Sequence, residues 1–468
     1  MPYISLITFL VFISSLILPL VSFAAAEYSY LVIIFTFLVW VLSLSKSFVI
    51  SLIAVILTAY FSQRMLFLHV APEVFTYKWV TNSQINESLV FSISAVSAMV
   101  LGSLMFQLIY QGVKRPYITS GYEKIFGINI TINQFVKYAS YLVIIGFAVK
   151  IYTVLIIGFV VGSEAYVVTH KSLFEVVLFR GIQTLTSLLI FLLLVFARPD
   201  LFERKTKVIA ILSIVISLMF NIFVDASKGA LLTVIIFYLI VLNYSRGAVS
   251  KKVILYAIAV FIFSLLLFSF FMIWYRTVVI AFVSTGEMSA EFFKFDLAKA
   301  IISFSGRVAG FDWLTGIMAY SGTEFNYPSS IYHQLVQTVN YYVPGDIFNI
   351  PEHVPIAHGM GIYLNEKPAW ELTRYLPGGL AMSYLVFGWW SFLYYFGSAF
   401  ILRYIEKYGK HLFIKLAIVY YFGVHHLISG TGLFELFSNI VVALIMVVVL
   451  IKLIIFFKST SKKMLIKT

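Results

Sequence analysis

The chain reads as an all-α polytopic membrane protein of about twelve transmembrane helices with one large outer loop. Three observations predict this class. Of its 468 residues 61% are hydrophobic and only 11% charged, with mean hydropathy +0.98, whereas a soluble domain carries about 25% charged residues. Apolar runs near the length that crosses a bilayer, roughly 20 residues, recur along the whole chain. Basic residues gather in every second connection between those runs, the pattern of loops held on the cytoplasmic side.

Taken in order, the runs are Ile4–Phe23, Tyr28–Leu44, Phe48–Leu66, Leu89–Tyr110, Val136–Val160 and Leu173–Phe196, then Val208–Val224, Ala230–Leu242, Val253–Tyr275, Leu380–Leu402, Leu412–Ile428 and Leu433–Phe457. The first has no basic stretch before it and is read as a retained span rather than a cleaved leader. The eighth is short and borrows Gly229 and Asn243 at its ends. The connections holding Lys46, Lys114 and Arg115, Arg204 and Lys205, Lys251 and Lys252, and Arg403 and Lys407 alternate with connections poor in basic residues, and Lys458, Lys462, Lys463 and Lys467 follow the last run. The positive-inside rule therefore places both termini in the cytoplasm. The net charge of +13 belongs to these loops, and no nucleic-acid partner is expected.

Three regions result: spans one to nine over residues 1–275, an outer loop over 276–376, and the last three spans with a basic tail over 377–468. The loop from Arg276 to Leu376 carries six basic and nine acidic residues, against the basic remainder of the chain. Its first half, FDLAKAIISFSGRVAGFDWLTGIMAY, has helical spacing and is expected to lie in the membrane interface. Its second half is rich in Tyr, Pro and Gly and reads as folded loop structure.

The absence of cysteine excludes disulfide frameworks, thiolate metal sites and cysteine nucleophiles. No GxxxxGK[ST] phosphate loop and no HExxH occur. His353 and His358 flank Pro355, which a helical two-histidine metal site would not tolerate. Charges within or at the ends of spans mark pathways or sites. Lys150 sits mid-span. Arg180 shares a helical face with Gln183 and Thr184. Asp225, Lys228, Arg276, His425, His426 and Glu435 fall at the outer ends. Pairing among them, Asp225 with Lys228 for example, is the plain alternative to a shared site. A cationic outer cavity suits an anionic ligand whose tail stays in the outer leaflet.

Within the loop, Arg307 and Asp312 stand in SGRVAGFD, Glu366 and Lys367 precede Pro368, and Arg374 precedes Pro377-Gly378-Gly379. Arginine forks match phosphate oxygens, and histidine accepts protons near neutral pH. His358, in AHGMG, is the first candidate for a general base, with Asp312 and Glu366 as alternatives and His333 and His353 after them. Asp312 could equally pair with Arg307. Trp313, Tyr341, Tyr342 and Trp370 could anchor at the interface.

The twelve-span layout, the long loop before the last three spans, GRVAGFDWL, VPGDIFNIPEHVP and LPGGLAMSYLVFG together resemble the Wzy family of O-antigen and capsular repeat-unit polymerases. DASKGALL is similar to a family segment that usually reads SRG, with Lys228 where Arg is common. The resemblance implies a C-type glycosyltransferase of the bacterial inner (cytoplasmic) membrane with its site facing the periplasm. Donor and acceptor would be undecaprenyl-pyrophosphate-linked oligosaccharides, and a chain-length regulator protein would be a partner. Against the faces of these sugars Trp313, Tyr341, Tyr342 and Trp370 could stack. No cofactor and no metal are expected. Arg276, Arg307 and Arg374 would bind the pyrophosphate, with Arg180 and Lys228 as deeper supports, because charge develops on that leaving group. O-antigen ligases share the layout. A lipid-linked oligosaccharide flippase or transporter would also use Lys150 and Arg180, though such proteins keep their site near the midplane.

Overall fold

A computed structural model of the chain describes residues 2–21, 26–70, 80–110, 122–125, 128–157, 188–223, 230–246, 310–320, 378–409, 411–427 and 433–465. It divides into two compact units. One comprises Met1–Arg115, Ala298–Tyr408 and Ile418–Ser438, the other Pro116–Leu297, Gly409–Ala417 and Asn439–Thr468.

The first unit opens with α1 (Pro2–Val21) and α2 (Ala26–Ser43). Between them Thr8 meets Ser43 and Ser15 meets Thr36, each hydroxyl pair at 2.8 Å. Residue numbers that rise on one helix while falling on the other make the pair antiparallel. Small hydroxyl residues hold apolar helices together where lipid supplies no hydrophobic drive. Ser47 caps α3 (Phe48–Leu57) by accepting from the Ile50 N–H. A π-helical turn, Thr58–Ser62, then leads into α4 (Gln63–Val70). Thr81 and Gln84 form a capping box at the start of α5 (Asn82–Ile109), satisfying first-turn donors that an apolar run cannot.

The first unit also holds α11 (Gly310–Tyr320), α12 (Gly379–Phe387) and α13 (Ser391–Tyr408). Phe106 packs edge-on to Phe400, and Tyr110 on Tyr404, so α5 and α13 run parallel. Gly102 allows their approach, since a Cβ there would run into the Phe396 carbonyl. A further π-helical turn, Val419–His426, places Gly423 against Val49 and Leu402.

The second unit contains a two-stranded antiparallel hairpin, β1 (Tyr122–Ile125) with β2 (Ile128–Thr131), in the register Tyr122↔Thr131. This corrects the all-α expectation locally, since Tyr, Ile and Thr at these positions favour a pleated ribbon. Four helices follow: α6 (Ile132–Ile157), the short α7 (Leu189–Leu192) and α8 (Leu194–Ala197) separated at Leu193, and α9 (Arg204–Phe223). Then comes α10 (Ala230–Arg246), four residues longer than the apolar run that announced it. Phe135 stacks on Phe413 of α14 (Leu412–Ile418) at 3.8 Å, with Phe191 edge-on to both. The Ser213 hydroxyl donates to the Ser140 carbonyl at 3.2 Å. Arg198 binds the Asp200 carboxylate in the adjoining connection, and that hydrogen bond pushes the guanidinium pKa further up. The last helix, α15 (Leu433–Leu465), continues through Lys458, Lys462 and Lys463, which the sequence placed in a tail.

Among the described residues, four helical stretches are long and apolar enough to cross a membrane: Phe48–Leu66, Asn82–Ile109, Ile132–Val149 and Gly379–Tyr408. Shorter apolar helices accompany them, including Ser5–Ile17 and Ala443–Phe457. The protein is a helical membrane protein by these features.

The tenth expected span, Leu380–Leu402, is not one straight helix. Its two parts, α12 and α13, are joined by a 3₁₀ turn at Gly388–Trp390. The Ser383 hydroxyl lies 2.9 Å from the Tyr395 hydroxyl, and Ser391 donates to the Ser383 carbonyl at 2.9 Å. In an unbroken helix Ser383 and Tyr395 would sit about 18 Å apart along the axis, beyond the reach of their side chains. So α12 folds back on α13. Gly388 permits the reversal with φ +55°, a conformation that costs other residues dearly.

Candidate functional site

The site is built where α11 and α12 meet the π-helical turn of the third expected span. A π-helical turn inserts a residue into the helical ladder and recurs at functional positions. Here it presents Phe61, which is fully buried. A Cβ on Gly310 would come within 3.0 Å of the Phe61 ring, and one on Gly378 within 3.3 Å of it and 3.5 Å of the Gly310 Cα. Gly378 also has φ +84°. Two glycines therefore let the start of α11 and the approach to α12 close on one aromatic ring. They belong to GRVAGFDWL, which lies within the long loop, and to LPGGLAMSYLVFG, which begins at its C-terminal end.

Arg64 lies just beyond this turn. Its Nε donates to Asp312 Oδ1 at 3.0 Å, and its Nη2 pairs with Oδ2. The two side chains are 2% and 0% exposed. A bidentate fork of this kind is the strongest geometry available to such a pair. Even so, removing two charges from water costs several kcal/mol each, on the order of what their attraction returns. Ionisable groups held at membrane depth mark function more often than stability. In the two residues before Arg64, Ser62 Oγ and Gln63 Nε2 are buried without a hydrogen-bond partner among the described residues.

The depth of the pair follows from the opposite end of the same helices. The Phe48 N–H donates to Glu406 Oε1 at 3.0 Å. Arg403 donates to the Ser103 carbonyl at 2.7 Å, and Lys407 to the Tyr110 carbonyl. The start of α3 and the ends of α5 and α13 thus share one level, rich in basic residues. Arg64 is sixteen residues beyond Phe48, about 24 Å of helix. Trp390 is sixteen residues before Glu406, about the same distance, and is 69% exposed. Exposed tandem tryptophans sit at the headgroup level of a bilayer. The ion pair therefore lies at about the level of Trp390, opposite the basic ends.

The helix carrying Asp312 is the segment that the sequence assigns to the membrane interface. Its residues Gly310–Met318 are buried on every face, and the Ser88 hydroxyl of α5 donates to the Met318 sulfur at 3.3 Å. Asp312 thereby gains a partner, Arg64, that no local spacing indicated. Trp313, a candidate for sugar stacking, is buried with it. His358, Glu366, Arg276, Arg307, Arg374, Arg180 and Lys228 lie outside the described residues, as do His333, His353, Tyr341, Tyr342 and Trp370. Beside the site, Met382, Ser383, Val386, Phe387, Tyr394 and Leu427 line a small, mostly apolar cleft. Among the described residues no three His, Asp or Glu side chains gather as a metal ion would need.

No family model matches the chain, and neither a curated protein nor a solved structure matches it. What fold and site define is a helical membrane protein with a buried arginine–aspartate pair.

Proposed function

We propose that the protein polymerises undecaprenyl-pyrophosphate-linked oligosaccharide repeat units into O-antigen or capsular polysaccharide at the periplasmic face of the bacterial inner membrane. In this reading it has twelve spans, cytoplasmic termini and residues 276–376 outside. The observation that carries the reading is the convergence of Gly310 and Gly378 on Phe61, with Asp312 paired to Arg64 beside them, at the interface level. The part of the loop between Gly310 and Gly378 is rooted where the pyrophosphate of a lipid-linked sugar would sit. Chain length adds to this. Arg307 is three residues from Gly310 and Arg374 four from Gly378, so their Cα atoms stay within about 11 and 14 Å of that root.

The reaction breaks the bond between the anomeric carbon of the growing chain and its pyrophosphate oxygen. A hydroxyl of the incoming lipid-linked unit forms the new glycosidic bond and gives up its proton. Arg307, Arg374 and Arg276, with Arg180 and Lys228 behind them, take the charge developing on the departing polyprenyl pyrophosphate. His358 accepts the proton, with Glu366 as its alternative. Asp312 keeps both oxygens on Arg64 in the described state, so it serves as base only once that pairing is given up.

The test is reconstitution of the full chain in vesicles with a lipid-linked repeat unit. A ladder of polymer is expected, and Arg307→Ala, Arg374→Ala and His358→Gln should each lose it while still inserting. Transfer of glycan onto a lipid core instead would establish the ligase. Movement of labelled lipid across the bilayer without polymer would establish the flippase.

A further inference from the structure

We propose that the adjoining ends of α6, α9 and α15 form a binding surface for an anionic phospholipid, with Lys137, Arg204, Lys205 and Lys207 receiving its phosphate. The inference goes beyond the polymerase reading and does not depend on it.

Helices α6 and α9 begin side by side. The Glu203 N–H, just ahead of α9, donates to Asn133 Oδ1 in the first turn of α6 at 3.2 Å. Further along, Ser213 donates to the Ser140 carbonyl at 3.2 Å. Residue numbers rise together, so the helices are parallel and their N-termini share one level. Beyond that level Val208, Ile211 and Leu212 on α9, and Ile145 on α6, are exposed apolar residues, the kind of face that acyl chains cover. Tyr141 is exposed where the face of α6 begins, as tyrosines are at headgroup depth. On α15 the Phe457 ring stacks on Tyr138 at 5.4 Å, with 7° between the planes, and Phe456 and Phe457 are exposed.

The charge at this level is unbalanced. Lys137 stands in the second turn of α6, and Arg204, Lys205 and Lys207 in the first turn of α9. None of the four pairs with a carboxylate among the described residues. The positive end of a helix dipole works against cations placed there, neither first turn carries an acidic residue, and the nearby Asp200 is held by Arg198. Past the aromatic stack α15 continues through Lys458, Lys462 and Lys463. Sidedness alone accounts for basic residues in a connection, but it does not call for them against two helix dipoles beside exposed rings. A phosphodiester at headgroup depth offsets the repulsion while its acyl chains cover the apolar faces, and basic clusters between helices at this depth recognise anionic headgroups. A soluble anion would offset the charge and leave the apolar faces uncovered.

The test is equilibrium binding of phosphatidylglycerol to the full-length protein in a neutral detergent, followed by native mass spectrometry. The wild type should bind it at least about 25-fold more tightly than phosphatidylcholine. Each cation is expected to contribute about fivefold, so Lys137→Gln/Lys207→Gln should bind about 25-fold more weakly. Arg204→Gln/Lys205→Gln, at two exposed positions, should show the same loss. Lys114→Gln/Arg115→Gln removes the same charge from the first unit and should bind as the wild type does. Wild-type affinity in either folded site variant, an equal loss in the control pair, or no preference for phosphatidylglycerol overturns the proposal. Displacement of the lipid by an equal concentration of glycerol phosphate overturns the lipid as the occupant.

Discussion

Removing one member of the Arg64–Asp312 pair should be far more damaging than removing both. Both side chains are buried in helices that pack together. Arg64→Leu leaves the Asp312 carboxylate without its guanidinium in a place water does not reach, and Asp312→Leu does the converse to Arg64. Breaking a buried pair in this way costs about 3–5 kcal/mol. If the sites were independent, the double variant would lose roughly 6–10 kcal/mol, as much as the whole stability of many domains. Replacing both by leucine removes two desolvation penalties together with the attraction, and comparable exchanges range from neutral to about 1–4 kcal/mol stabilising. The double variant is therefore expected within about 2 kcal/mol of wild type. Unfolding in mixed micelles with increasing dodecyl sulfate measures all four proteins, and the emission of Trp313, buried beside Asp312, follows the same transition. A double variant as unstable as the sum of the singles would refute the reasoning, because the two residues would then act separately.

Two further outcomes follow from the packing. Gly102→Ala should cost about 1–3 kcal/mol, the usual penalty of overpacking, because its Cβ would meet the Phe396 backbone. Gly397→Ala, with nothing within 4 Å of its Cβ, should be tolerated or gain up to about 1 kcal/mol from helix propensity; thermal unfolding in detergent separates the two. The chain has no cysteine, so single cysteines report sidedness cleanly. Those at Asn82 and Trp390 should react with an impermeant maleimide from the periplasmic side, and those at Lys46 and Lys407 only after permeabilisation. Labelling of Trp390 together with Lys407 from one side would contradict the helix levels.

The apolar runs located the helices well where lipid-facing composition decides them, as at Phe48–Leu66 within α3 to α4. They failed where polar chemistry extends or breaks a helix. The first two turns of α5, Asn82–Ser88, are polar and invisible to hydropathy, although Thr81 and Gln84 carried a capping signal. The hairpin Tyr122–Thr131 has the alternation of a ribbon, but in a chain dominated by apolar helices that short signal was passed over. The break in the tenth span was written as Gly388 followed by two tryptophans, yet hydropathy averages across it. Asp312 was legible as a candidate residue. Its partner was not, because 248 positions separate it from Arg64 and an arginine in the last turn of an apolar run ordinarily snorkels to the interface. No local pattern encodes a contact of that range.

The last turn of α13 carries two adjacent, opposite charges that serve helices of opposite direction. Glu406 receives the first N–H of α3, where an anion is favoured, and Lys407 donates to the carbonyl that closes α5, where a cation is favoured. Their partners precede them by 358 and 297 residues. At synthesis rates of about 5–20 residues per second, the N-terminus of α3 waits roughly 20–70 s for Glu406 to be made. During that interval the early helices are in the bilayer with these ends held only by headgroups and water. Assembly of the first unit is thus timed by the ribosome's arrival at α13, and a chain stopped short of Lys407 would present the quality-control proteases with inserted helices that have never been locked.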